Sequence, residues 1–132
     1  MMSNNTPKLK VLIAGGGTGG HLFPAIAIGD ALVKDNIKVK YVGSKHGIES
    51  SYKFINKNNI LLLDLRGIQR TLSLNSFIKN LTLPIKIIKS TIQIRKLLNS
   101  FKPDMIIGTG GYSCALPLYF GIKKNILTGV QE

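Results

Sequence analysis

Acidic residues are scarce in this 132-residue sequence, which has six Asp and Glu against 18 Lys and Arg. The net charge of +12 predicts an anionic partner, such as nucleic acid, a phosphorylated small molecule or an acidic membrane surface. The few acids are scattered and form no Asp-x-Asp pair, a poor ligand set for a hard cation. We therefore expect no bound metal and no cofactor.

Cysteine and long apolar runs are also missing. A single cysteine, Cys114, excludes an internal disulfide and leaves no Cys-x-x-Cys pair for zinc, which is typical of proteins in a reducing cytosol. No apolar run approaches the roughly 18 residues of a membrane span, and the N-terminal MMSNNTPKLK has no signal-peptide core. We expect a chain that neither crosses a bilayer nor is exported.

Short β-branched runs alternate with segments of helical spacing along the whole chain. This rhythm predicts one α/β domain over 1–132, with a Rossmann-like, mostly parallel sheet and helices on both faces. Pro84 should kink or split the longest helix, and Gly121 should stop the last one. The predicted strands are 8–14, 38–43, 60–65, 103–108 and 125–130, and the predicted helices are 23–34, 49–56, 73–100 and 115–120.

Two glycine-rich segments, GGGTGGH at 15–21 and GTGGYS at 108–113, each follow a predicted strand and precede a predicted helix. A P-loop is excluded because His21 and Leu22 stand where that motif needs Lys and Ser or Thr. A dinucleotide fingerprint fits the glycine spacing, but the ribose-binding acid is missing at the end of the second strand. A plain turn would use fewer glycines. Two such loops at one sheet edge suit a ligand with more than one phosphate.

Three segments carry a resemblance to a known family: GGGTGGHLFPAIAIGDAL at 15–32, YVGSKHGIES at 41–50 and KPDMIIGTGGYS at 102–113. They resemble the MurG glycosyltransferases, which transfer GlcNAc from UDP-GlcNAc to undecaprenyl-diphospho-MurNAc-pentapeptide in peptidoglycan biosynthesis. The resemblance implies the N-terminal half of a two-domain GT-B enzyme, with acceptor binding in this half. It also implies that the donor-binding C-terminal domain is absent from this chain, which we expect to be inactive alone.

His21 is the candidate catalytic base, because a helix N-terminus disfavours the cationic imidazole. The alternative is a histidine that only fills the loop. The resemblance further implies that UDP-GlcNAc contacts Thr18, Gly19 and Gly20. The acceptor diphosphate would lie across both glycine segments. His46 is expected to be a solvated loop histidine. The implied diphosphate-binding residues are Gly15, Gly16, Gly17, Gly110, Gly111 and Tyr112.

Eight basic residues and no acid lie between Arg66 and Lys102. At ~100° per residue, Ile87, Ile94 and Leu98 share one side of the predicted helix. The opposite side combines further isoleucines with lysines. This combination predicts peripheral association with the anionic inner face of the bacterial plasma membrane. Alternatively, this second apolar side packs against segment 73–83. We do not expect nucleic-acid binding, because few aromatic residues stand among the basic ones. The predicted membrane residues are Ile85, Ile88, Ile92, Lys86, Lys89 and Lys96.

Three alternatives remain open from the sequence. The chain could be the non-catalytic, membrane-recruiting half of a split two-subunit GlcNAc transferase, or a relic without activity. The glycine spacing also leaves a dinucleotide-binding oxidoreductase domain as an alternative.

Overall fold

A computed structural model describes residues 8–51, 53, 55–66 and 72–131. Its five strands are β1 (Lys10–Gly15), β2 (Lys38–Ser44), β3 (Ile60–Leu63), β4 (Met105–Gly110) and β5 (Leu127–Val130). Its three α-helices are α1 (Gly19–Lys34), α2 (Leu74–Phe101) and α3 (Ala115–Lys123), and short 3-10 turns cover Ile48–Ser50, Lys57–Asn59 and Tyr112–Cys114.

All strand pairs are parallel, in the order β3-β2-β1-β4-β5. The predicted parallel sheet is therefore confirmed. From β1 the chain builds outward through β2 and β3, and then returns to the other side of β1 to form β4 and β5. The carboxyl ends of β1 and β4 thus flank the point where the winding reverses, which is where ligands bind in open α/β sheets.

Alternating side chains of β1 point into two separate cores. On one face Val11 and Ile13 pack with Ala25 of α1. On the other face Leu12 packs with Ile94 of α2, among partly buried residues of α3. Both cores are almost fully closed to solvent, so the predicted coverage of both sheet faces is confirmed.

The predicted split of the longest helix and the predicted stop at Gly121 are both wrong. The helix α2 runs 28 residues through Pro84, because a proline removes only one backbone donor while the turns on either side keep their own bonds. The helix α3 runs through Gly121 to Lys123. A Cβ at Gly121 would lie 2.6 Å from a side-chain carbon of Ile106, so this glycine allows close packing on the sheet.

Other boundaries also differ from the predictions. The helix α1 begins at Gly19, four residues early, so it includes the end of the glycine-rich segment. The predicted helix over 49–56 is a 3-10 turn at Ile48–Ser50, and the described residues from Ser51 to Asn56 are not helical. Strand β4 extends to Gly110, because Gly15 of β1 pairs with that residue across a register shift.

Candidate functional site

The first glycine loop (residues 15–21) and the second glycine loop (residues 108–113) meet at the carboxyl ends of β1 and β4. The Gly16 N–H donates to the Gly110 carbonyl at 3.3 Å. Gly111 has φ +85°, and a Cβ there would lie 2.4 Å from the Gly16 carbonyl oxygen. Only glycine permits this approach. The predicted meeting of the two loops at one edge is confirmed.

His21 joins the two loops through a reciprocal pair of hydrogen bonds with Thr109. Its Nδ1 lies 3.0 Å from the Thr109 carbonyl oxygen, and the Thr109 hydroxyl donates to the His21 carbonyl at 2.8 Å. A carbonyl can only accept, so Nδ1 carries the hydrogen. In the neutral ring Nε2 then has the free lone pair, which is the arrangement a general base requires.

The first turn of α1 offers unpaired backbone donors beside His21. Thr18 is the N-cap residue, and its side chain makes no capping hydrogen bond. The N–H groups of Gly19 and Gly20 find no acceptor within the described part of the chain. Free amides and the positive end of the helix dipole together favour an anion at this position.

Glu49 is a buried acid that sequence reasoning missed. Only 3% of its surface is exposed, and both carboxylate oxygens accept the Gly17 N–H at 3.0 Å, while Oε1 also accepts the Ser44 N–H. Three glycines make room for it: a Cβ on Gly16, Gly43 or Gly47 would lie 2.1–2.7 Å from its side chain. Two of them, Gly43 and Gly47, closely precede Glu49 in sequence, and this spacing was the available signal.

The Glu49 contact changes which amides of the first glycine loop are available to a ligand. Gly15 pairs in the sheet, the Gly16 N–H bonds the second glycine loop, and the Gly17 N–H bonds Glu49. The His21 N–H bonds the Thr18 carbonyl, so the donors left in this loop are those of Thr18, Gly19 and Gly20. The assignment of Gly15, Gly16 and Gly17 to a diphosphate stays a prediction, as does that of Thr18, Gly19 and Gly20 to the donor.

The second glycine loop ends in Tyr112, whose side chain is largely exposed beside the edge of the sheet. Gly110 has φ +110°, and a Cβ there would lie 2.3 Å from the His21 ring. The backbone of Gly110 thus forms a surface against which the imidazole rests. The predicted residues His21, Gly110 and Gly111 are brought together, and the ligand roles predicted for Gly110, Gly111 and Tyr112 stay predictions.

His46 is exposed, as expected for a loop histidine, but both of its ring nitrogens have side-chain partners. Its Nε2 lies 2.6 Å from Asp64 Oδ1, and Arg66 donates to its Nδ1 at 2.8 Å. Lys86 of α2 contacts the same carboxylate oxygen at 3.3 Å. The hydrogen bond from His46, with the further hydrogen bond and charge of Lys86, lowers the pKa of Asp64 below its ordinary value of 3.8. Arg66 and Lys86 are cationic and only Asp64 is anionic, so the cluster has a net positive charge.

The outer side of α2 carries an exposed apolar stripe. Ile85, Ile88 and Ile92 are 69%, 61% and 51% exposed. On the opposite side Ile94 and Leu98 are buried as predicted, whereas Ile87 is 41% exposed. The alternative packing of the stripe on segment 73–83 is wrong, because that segment belongs to the same helix. The stripe continues at alternating spacings of three and four residues through Leu74, Ile78 and Leu81.

Two of the three predicted lysines lie free on α2. Lys89 and Lys96 are exposed, whereas Lys86 is tied to Asp64. Within the described ranges, no helix combines the length and the apolar character that crossing a membrane requires. Arg70, which was counted in the basic segment, lies outside the described residues.

Residues 11–132 match the profile of the glycosyltransferase family 28 N-terminal domain. The chain belongs to this family. As a family 28 domain it is 35% identical over 126 residues to a UDP-N-acetylglucosamine–N-acetylmuramyl-(pentapeptide) pyrophosphoryl-undecaprenol N-acetylglucosamine transferase of Halalkalibacterium halodurans. It is 41% identical over 129 residues to the enzyme of the same name from Ruminiclostridium cellulolyticum.

Each of these alignments covers 94% of this chain and 34% of the relative, so the chain spans about a third of the curated relatives it matches. The crystal structure of Acinetobacter baumannii MurG superposes with a TM-score of 0.68 at 25% identity, covering 94% of this chain and 35% of that one. The predicted MurG resemblance and Rossmann-like fold are confirmed. The family match also displaces the oxidoreductase alternative.

Proposed function

We propose that this family 28 domain is the acceptor-binding half of an inverting transferase. The reaction moves GlcNAc from UDP-GlcNAc to undecaprenyl-diphospho-MurNAc-pentapeptide, the step from lipid I to lipid II in peptidoglycan biosynthesis. The observation that carries the proposal is the His21–Thr109 pair, which presents a free Nε2 beside unpaired amides at the switch point of the sheet. The names of the relatives give the substrates.

In this mechanism His21 Nε2 takes the proton from the acceptor hydroxyl as that oxygen attacks the anomeric carbon of GlcNAc and the bond to UDP breaks. Inversion follows because attack and departure occur on opposite faces of the sugar. The Thr109 carbonyl holds the imidazole in the required tautomer and stabilises the imidazolium that forms. The amides of Gly19 and Gly20, with the helix dipole, favour negative charge close to the base.

The chain covers about a third of its relatives, so we propose that a donor-binding unit, in the same or a separate chain, completes the enzyme. The test mixes the 132-residue chain with a separately expressed C-terminal half of a relative and follows labelled GlcNAc into a lipid-diphosphate acceptor. We expect no transfer by the chain alone and transfer by the mixture. Robust transfer by the chain alone would contradict the proposal that a separate unit binds the donor.

The role of His21 is tested in the same completed enzyme. His21→Ala should lower turnover about a hundredfold or more, because a general base acts in the transition state. Acceptor binding should change little, because the base contributes little to ground-state affinity. Near-normal turnover of the variant would make His21 a loop residue and move the base elsewhere.

We also propose that α2 attaches the domain to the anionic cytoplasmic face of the membrane. Support comes from the exposed stripe Ile85, Ile88 and Ile92, the flanking Lys89 and Lys96, and the absence of any acid in the sequence of α2. Apolar insertion and roughly 1 kcal/mol from each cation near an anionic surface would act together. Since the apolar side chains are exposed, replacing them should leave the fold intact.

Vesicle flotation tests the membrane proposal. Changing Ile85, Ile88 and Ile92 together to Ser should weaken binding to vesicles containing anionic lipid, while the urea unfolding midpoint stays close to that of the parent chain. The matched control changes Val33, Ile122 and Leu127 to Ser, which are 57%, 64% and 66% exposed but belong to other elements than α2. Equal loss in both triple variants, or unfolding of the first, would contradict the proposal.

A further inference from the structure

An apolar cavity of about 300 Å³ lies between α2 and the start of α3, at the carboxyl edge of the sheet. Five of its seven lining side chains are aliphatic, and they come from two helices and one loop. Leu65, which follows β3, is buried. Leu83 and Ile87 line the cavity from α2, and Ala115 and Leu116 line it from α3. Such a lining suits hydrocarbon and offers little to a sugar or a nucleotide base.

The two polar residues of the lining, Arg66 and Tyr112, are both exposed. One guanidinium nitrogen of Arg66 bonds His46. A guanidinium has five N–H donors in all, so Arg66 retains donors for an anion. The cavity is therefore apolar inside and carries a cation and a phenol where it opens.

The position of the cavity links two surfaces already described. Tyr112 directly follows Gly111 of the second glycine loop, so one end of the cavity borders the proposed place of the diphosphate. Ile87 lies on the same side of α2 as the buried Ile94, so the α2 wall of the cavity is the inner side of the helix whose outer side is the exposed stripe. A lipid diphosphate that runs from the loops to a membrane needs an apolar path at this place.

We infer that this cavity is a subsite for the first isoprene units of the polyprenyl diphosphate acceptor. The inference rests on the proposed function, because it assumes that the diphosphate lies on the glycine loops. The polyprenyl chain is bonded directly to the diphosphate, so its first units must leave the loops beside Tyr112. Arg66 complements the negative charge at the junction, and the five aliphatic side chains take the hydrocarbon.

Binding to the 132-residue chain tests the subsite with two soluble probes, farnesyl diphosphate and inorganic diphosphate, measured by calorimetry. Filling an apolar cavity should make farnesyl diphosphate bind about tenfold tighter or more, which is about 1.4 kcal/mol. If inorganic diphosphate binds and farnesyl diphosphate binds no tighter, the subsite is overturned while the proposed diphosphate site stands. If neither probe binds, the diphosphate site itself is contradicted, and the subsite falls with it.

Two variants locate the hydrocarbon. Ala115→Phe should fill the cavity and weaken farnesyl diphosphate about tenfold, leaving inorganic diphosphate unchanged. Its control is Ala27→Phe, an equally small and exposed residue of α1 on the other face of the sheet. A loss of affinity for both probes in Ala115→Phe alone would mean that the change disturbs the loop, and would overturn the assignment.

Ile87→Asn provides a second test that does not depend on added volume. It places a polar group on the cavity wall and should weaken farnesyl diphosphate but not inorganic diphosphate. The neighbouring change Ile88→Asn, on the outer side of α2, should leave both affinities unchanged. If Ile88→Asn weakens farnesyl diphosphate as much as Ile87→Asn, the hydrocarbon lies on the outer stripe and the inference is wrong.

Discussion

The two glycine loops look alike in sequence but owe their shapes to different causes. The first is held by Glu49, a buried acid whose carboxylate accepts the Gly17 N–H. The second has no such acid among the described residues. It is shaped by the first loop, because Gly110 packs on the His21 ring and Gly111 on the Gly16 carbonyl. Since the two loops contact each other, a change beneath the first loop should disturb both.

The largest expected effect comes from Glu49→Ala, which removes the support of the first loop. The change leaves the N–H groups of Gly17 and Ser44 without their acceptor and opens a cavity among three glycines. Losing buried hydrogen bonds to a charged group should reduce the free energy of unfolding by about 3 kcal/mol. Urea denaturation followed by circular dichroism measures this loss.

The matched control for Glu49→Ala is Asp35→Ala, an exposed acid at the end of α1. We expect it to change stability by less than about 0.5 kcal/mol. Glu49→Gln should fall between the two, because the amide keeps one accepting oxygen but turns a donor toward the Gly17 N–H. A loss below about 1 kcal/mol in Glu49→Ala would remove Glu49 as the organiser of the loop.

A comparison of Gly111→Ala with Gly17→Ala separates two causes of lost stability, the contact between the loops and backbone strain. Both glycines have positive φ, +85° and +91°, so each alanine should lose roughly 1–2 kcal/mol of stability for that reason. A Cβ at Gly17 meets no atom within 4 Å, whereas one at Gly111 meets the Gly16 carbonyl. We expect Gly111→Ala to lose about 1 kcal/mol more. Equal losses in urea denaturation would mean that the loops do not support each other.

Strand and glycine patterns predicted the sheet and the position of the two loops well. The apolar runs of β1 and β4 and the glycines after them are local signals, and they led to a parallel sheet with both loops at one edge. Local signals failed where tertiary packing decides the outcome. Pro84 looked like a break, yet it lies within a single helix, and Gly121 looked like a stop, yet it packs against Ile106.

The chemistry of the site was predicted only in part, for the same reason. His21 stands inside a recognisable motif, but its tautomer depends on Thr109, which is 88 residues away. Glu49 bonds the distant Gly17, so the nearby Gly43 and Gly47 were its only local signal. The partners of His46 come from other segments, and no spacing pattern indicates them. The exposed side of α2 was predicted from helical spacing, and its extension to Leu74 was missed because Pro84 was read as a boundary.

Thr109→Val tests the bridge between the two loops with little change in shape. Thr109 is 3% exposed, and its hydroxyl donates to the His21 carbonyl at 2.8 Å. Losing this bond should reduce stability by about 1 kcal/mol. Thr109→Ser keeps the donor and loses only a methyl group, so in the completed enzyme it should retain more turnover than Thr109→Val. If Val is as active as Thr, the hydroxyl does not position His21.

The smallest effect is expected at Asp64, the second acid near this edge of the sheet. Unlike Glu49 it is partly exposed, and it is paired with His46 and Lys86 rather than with backbone amides. Solvent screens such a pair, so Asp64→Asn should lose less than about 1 kcal/mol near neutral pH.

The stabilisation that Asp64 contributes should depend on pH. Because His46 and Lys86 lower the pKa of Asp64 in the folded chain, the ionised carboxylate stabilises the fold fully above its ordinary value of 3.8. The contribution disappears as the pH falls through the lowered value, where the carboxylate becomes protonated in the folded chain as well. Urea midpoints of the parent chain and Asp64→Asn should therefore differ at pH 6 and converge in acid. A difference that persists unchanged in acid would mean that Asp64 acts through its shape rather than its charge, and the contrast with Glu49 would then rest on burial alone.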